Sequence, residues 1–171
     1  MRLAIIDTET GGLNSEMDEL LDAHVLLIEE ETWSVIHEAG GRIFPTGKLR
    51  ITAGAAAVNG YDAALWQATA RRLPLVLADV LLAAVQAETW VGSNPQFDVK
   101  FLQAAAKRLG LWFAPRQLVD TAEIGKRLFG SKQGNLDALC KRFRVEIPGA
   151  HTARADCYRT LAVLPHIWRA R

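Results

Sequence analysis

Apolar and polar positions change their period once along this chain. Residues 2–7 (Arg-Leu-Ala-Ile-Ile-Asp) are β-branched and apolar over a short run, the pattern of a buried strand. Residues 8–22 carry Gly11-Gly12, Asn14 and the acids Glu16, Asp18, Glu19 and Asp22, which predicts a solvated loop with one helical turn. Two further strands are predicted over 24–30 and 33–44, the second ended by Pro45, so the first third reads as an antiparallel meander. From residue 52 the spacing turns helical. Short helices are predicted over 52–59 and 62–69, divided by Asn59-Gly60. A longer one over 73–87, with Pro74 in its first turn, is apolar nearly all round and is expected to be buried. A strand over 88–92, an amphipathic helix over 95–109 stopped by Gly110, and a last short strand over 117–119 follow. Helices over 121–129, 136–143 and 152–170 complete the pattern. Strands first and then helices interleaved with strands predict one α/β or α+β domain covering residues 1–171, with no repeat or linker.

Composition narrows the class. Of 171 residues, 50% are hydrophobic and 23% charged, which excludes a disordered chain and allows a core without covalent staples. Cys140 and Cys157 have neither zinc-site spacing nor the number for a disulfide framework. The longest apolar stretch is too short for a bilayer span and contains Asp79, and no signal peptide is visible. A soluble, cytoplasmic protein without membrane association is expected.

Charge is uneven. Residues 1–95 hold 6 Lys/Arg and 13 Asp/Glu, net −7; residues 96–171 hold 14 and 6, net +8. Such a chain can gather divalent cations on one side and phosphates on the other, although solvated faces of the later helices account for the same excess.

Four carboxylates stand where a fold should avoid them. Asp7 and Glu9 are i and i+2 at the end of the first strand, so both point to one side, and two such anions repel unless a cation or proton lies between them. The adjacent Thr10-Gly11-Gly12 leaves backbone open to a ligand. Asp98 falls on the apolar stripe of helix 95–109, with Leu102, Ala105 and Leu109. Asp156 shares the buried face of the last helix with Thr160, Val163 and Ile167, and His151 precedes it by five residues. Oxygen ligands without Cys or a second His imply Mg²⁺ or Mn²⁺ should these acids converge. Two such ions about 3.5–4 Å apart suit phosphodiester cleavage, with His151 as the base that takes the proton of water.

These residues resemble the motifs of a known family. Ile6-Asp7-Thr8-Glu9-Thr10-Gly11-Gly12-Leu13 is similar to the first motif of the DEDD (DnaQ-like) 3′–5′ exonucleases. Asn94-Pro95-Gln96-Phe97-Asp98 resembles the second, and His151-Thr152-Ala153-Arg154-Ala155-Asp156 the third, in its histidine (DEDDh) form. Ser93 departs from the pattern, since many relatives carry His there. The resemblance implies a ribonuclease H-like fold, a mixed five-stranded sheet flanked by helices. It implies two metal ions, Mg²⁺ or Mn²⁺, held by Asp7, Glu9, Asp98 and Asp156, with His151 as general base. It also implies contacts of Thr8, Thr10, Gly11 and Leu13 with the 3′-terminal nucleotide, and a pocket wall from Asn94 and Phe97.

The expected activity is therefore removal of nucleoside 5′-monophosphates from the free 3′ end of nucleic acid, most readily single-stranded DNA. An exoribonuclease, a non-catalytic module that binds nucleic-acid ends and a polymerase proofreading subunit are the alternatives. Asp120 is expected to cap the helix that follows it. The five tryptophans read as packing residues, with Tyr61 and Trp66 possible neighbours of the strand-binding groove.

Overall fold

The first apolar run forms the middle of a sheet. The computed structural model describes residues 1–149 and 151–171. Its strands are β1 (Arg2–Thr10), β2 (Leu20–Glu29), β3 (Ser34–Arg42), β4 (Thr89–Gly92) and β5 (Gln117–Asp120), in the order β3-β2-β1-β4-β5. β2 pairs antiparallel with β1 and β3, whereas β4 pairs parallel with β1 and β5, so the sheet is mixed. The helices are α1 (Ala53–Asn59), α2 (Ala63–Thr69), α3 (Leu73–Ala84), α4 (Pro95–Arg108), α5 (Thr121–Phe129), α6 (Leu136–Phe143) and α7 (Ala153–Ile167). None of the described helices is long and apolar enough to cross a membrane.

Alternation along β1 divides the core. Leu3 and Ile5 join Leu26, Ile28 and Val91 beneath α5, α6 and α7, where Ile124, Leu139 and Val163 complete one cluster. Ala4 and Ile6 point the other way, onto Val76, Leu77 and Val80 of α3 and Phe101 and Leu102 of α4. Each fully buried aliphatic side chain contributes about 1.5–3 kcal/mol, so covering both faces of the sheet is the main drive of the fold. The alternation ends at Asp7 and Glu9, which lie on the α7 side directly across from His24 and Asp22 of β2.

Three expectations are corrected. Thr8, Glu9 and Thr10 continue β1 instead of opening a loop, because Leu20–Ala23 supply backbone partners that composition does not reveal. α3 ends at Ala84 and buries only one face; Leu75, Leu82 and Val85 are exposed, since the sheet covers it from a single side. Of the acids after Gly12, Glu16 is exposed as expected, but Asp18, Glu19 and Asp22 are not. Asp18 and Glu19 are only 2% and 3% exposed. Asp18 accepts from Arg50 Nε at 2.9 Å and from the Asn14 N–H, and Glu19 accepts from Thr46 Oγ1 at 2.6 Å and the Gly47 N–H. They fasten the 11–19 loop to residues 46–50. Asp22 is buried as well.

Candidate active site

Parallel pairing of β1 with β4 brings the start of α4 beside the end of β1. There Asp98, in the first turn of α4 and 4% exposed, accepts two hydrogen bonds on Oδ1, from the Thr8 N–H at 2.9 Å and the Thr8 hydroxyl at 2.7 Å. The backbone reaches α4 through Asn94, whose φ of 64° is left-handed, and the Asn94 N–H is held by Asp120 Oδ1 at 2.9 Å. Asp120 also caps α5 through the Ala122 N–H, as expected.

α7 crosses the opposite face of the sheet and presents Asp156. Carboxylate oxygens of Asp7, Glu9 and Asp156 all lie within 4.8 Å of one another. Burial, and then the charges of Asp98, Asp156 and Glu9, push the Asp7 carboxyl well above its usual range. Burial and the facing Asp156, Asp22 and Asp98 push Glu9 up to about 8. Burial raises Asp98 to about 7 against the opposing hydrogen bonds from Thr8. Across from Glu9, Asp22 is raised to about 6, chiefly by burial, and its buried Oδ1 has no partner among the described residues. So much anionic oxygen in one place is stable only when protons or a cation occupy it. The donors that converge are all carboxylate oxygens, a set that fits a hard divalent ion.

Asp156 is anchored from behind. Arg159, 7% exposed and one turn along α7, donates to Asp156 Oδ1 at 2.7 Å and also to Asp137 on α6. His151 enters α7 with a left-handed φ of 65°, and its backbone N–H lies 3.3 Å from Asp156 Oδ2, while its side chain is exposed. Arg154, in the next turn, is held by Glu38 of β3, which also accepts from His24 Nε2 at 2.9 Å and Tyr158 Oη at 2.7 Å. Burial opposes ionisation of Glu38, but the hydrogen bonds from Arg154, Tyr158 and His24 prevail and hold it at about 2.

A cavity of about 410 Å³ opens beside Glu9. Thr8, Thr10, Leu13 and Phe97 line it, and Leu13 is 88% exposed. Both donors of Thr8 are committed to Asp98. Gly11 is outside the lining: its N–H bonds the Glu19 carbonyl, its carbonyl accepts from Thr52, and a Cβ there would lie 2.3 Å from the Arg50 oxygen. Gly12 stands in the wall instead, and Asn94 is not part of it.

Sequence reasoning missed the opposite wall, formed by Ala55, Val58 and Asn59 of α1. Asn59 donates to the Thr10 carbonyl at 3.0 Å, so α1 is tied to the end of β1. Its only signal was the run Gly54-Ala55-Ala56-Ala57, small residues that admit a close neighbour. Arg159 was missed because a cation on a helix face usually reads as solvated. Tyr61 packs at a tilt against Trp66, ring centroids 5.1 Å apart, and Trp66 is buried with Nε1 donating to the Leu21 carbonyl, so Trp66 is a core residue.

A ribonuclease T from Haemophilus ducreyi is 28% identical over 91% of this chain and 79% of its own length. A PolC-type DNA polymerase III from Caldanaerobacter subterraneus subsp. tengcongensis is 25% identical over 93% of this chain, which spans only 11% of that polymerase. Among solved structures, a zinc-bound complex of Escherichia coli exonuclease I with single-stranded DNA superposes with a TM-score of 0.82 at 19% identity. It covers 99% of this chain and 42% of the exonuclease, and establishes the same ribonuclease H-like fold. The exonuclease family model (RNase_T) matches residues 4–164, and the chain belongs to that family.

Proposed function

We propose that this chain is a metal-dependent 3′–5′ exonuclease, folded as one domain over residues 1–171, that releases nucleoside 5′-monophosphates from single-stranded nucleic acid. The observation that carries the proposal is the meeting of Asp7, Glu9 and Asp156 oxygens within 4.8 Å, beside a cavity with apolar walls. Asp7, Glu9 and Asp156 would hold one Mg²⁺ or Mn²⁺, and Asp7 with Asp98 a second. When bound, such a pair polarises the phosphoryl group and stabilises the leaving oxygen.

The chain's own residues do the rest. Leu13 and Phe97 offer apolar contact to the 3′-terminal base in the cavity, and Thr8 fixes the carboxylate of Asp98. His151 takes a proton from the attacking water. The new P–O bond forms as the bond to the penultimate 3′-oxygen breaks, and that oxygen takes up a proton from solvent.

DNA is the favoured substrate, by analogy with the exonuclease I complexes with dT13 and dA16. An exoribonuclease is the second reading, favoured by the 79% coverage of ribonuclease T. Product analysis of an oligonucleotide incubated with Mg²⁺ or chelator tests both. Mononucleotide 5′-phosphates in the Mg²⁺ sample alone support the reading, whereas intact oligonucleotide bound equally in both samples would leave a binding module.

A further inference from the structure

A second cavity, of about 610 Å³, lies outside the candidate active site, between the outer face of α4 and two loops. Its walls include Ser15, Glu16, Lys100, Lys107, Leu111 and Trp112. Trp112 is 85% exposed and Leu111 54%. An indole this open is unusual, because tryptophan has most to gain from burial. Lys100 and Lys107 are seven residues apart on α4, so they share one face and span about 10 Å of it. Among the described residues, the one carboxylate in the wall is Glu16, at a loose 3.9 Å from Lys107.

One loop borders both cavities. Leu13 lines the cavity beside Glu9, while Ser15 and Glu16, in the same loop, line the second cavity. Arg108 of α4 donates to the Ser15 carbonyl at 2.5 Å and pins that loop between the two. An open aromatic face flanked by cations along a track is the chemistry that holds single-stranded nucleic acid, through base stacking and phosphate contact.

We infer that Trp112, with Lys100 and Lys107, is an accessory site that stacks an unpaired base of the substrate strand upstream of its 3′ end. This rests on the reading of the chain as a nuclease for single strands. At 85% exposed, Trp112 is not the packing residue expected.

The test compares a 12-nucleotide single strand with a dinucleotide, for the wild-type protein, Trp112→Ala, Trp112→Phe and the double variant Lys100→Ala/Lys107→Ala. In Trp112→Ala, KM for the 12-mer should rise roughly ten-fold, as loss of one stacked base does, so that the advantage over the dinucleotide shrinks. Trp112→Phe should restore most of that advantage, and the lysine double variant should lose it most at low salt. In parallel, 12-mer binding is followed by tryptophan fluorescence in chelator. Quenching that disappears in Trp112→Ala supports the site even if no cleavage occurs with any metal, an outcome that would remove only the nuclease reading. An unchanged ratio of 12-mer to dinucleotide KM, or equal quenching in Trp112→Ala, overturns the inference.

Discussion

Thr8 gives both of its donors to one oxygen of Asp98, the N–H at 2.9 Å and the hydroxyl at 2.7 Å. Residues 90 positions apart are thereby locked together, and the acid on α4 has a fixed direction relative to Asp7. Thr8→Val keeps the shape and the N–H bond but removes the hydroxyl. Stability should fall by about 1–2 kcal/mol, the cost of one lost bond to a buried charge, and turnover should drop about ten-fold with little change in KM. Urea denaturation and steady-state kinetics check the two parts separately.

Asp7 separates stability from activity. Its charge opposes those of Asp98, Asp156 and Glu9. Asp7→Asn should therefore abolish turnover and yet raise the melting temperature in chelator, by about 2–4 °C per kcal/mol of relieved repulsion. A variant that is both inactive and markedly less stable would mean that Asp7 is a packing residue.

Asp156 behaves in the opposite way, because Arg159 neutralises it from α7. Arg159→Ala leaves a buried carboxylate without its partner and should cost about 3–5 kcal/mol. Asp137→Asn, on the exposed side of the same pair, should cost under about 1 kcal/mol. Equal losses in the two variants would show that the arginine acts through α6 alone.

The pH dependence of stability has a definite sign. Glu9 at about 8 and Asp98 at about 7 hold protons in the folded chain that the unfolded chain releases near 4. Between those limits the folded state binds more protons, so in chelator stability falls as pH rises from about 4 to 8. A divalent ion replaces those protons. Thermal melts at pH 5 and pH 8.5 should show Mg²⁺ raising the melting temperature far more at the higher pH, and an equal rise at both would contradict the raised carboxyls.

How much of this was legible depended on the range of each interaction. The i, i+2 spacing of Asp7 and Glu9 and the position of Asp98 on an apolar helix stripe are local signals, and all three acids lie where those signals put them. The pattern of α3 misled because composition counts Leu75 and Leu82 as core, although the sheet covers only the other face. The partners of Asp18 and Glu19 lie some thirty residues away, at Arg50 and Thr46, so nothing nearby distinguished them from a solvated run. The close packing at Gly11 was hidden for the same reason: the backbone it must clear is that of Arg50. The wall supplied by α1 depends on Asn59 reaching the Thr10 carbonyl, a contact across 49 residues that leaves no trace in periodicity.

Single-stranded DNA and RNA of one sequence, each labelled at the 5′ end, provide the most direct test. They are incubated with Mg²⁺, Mn²⁺ or chelator and resolved over time on a denaturing gel, beside the same reactions with Asp7→Asn. A ladder that shortens from the 3′ end, with metal and only in the wild-type protein, is the predicted result, and the faster sugar identifies the substrate. Intact strands in every lane, or equal cleavage by Asp7→Asn, would contradict the assignment of the carboxylates as a metal-dependent nuclease centre.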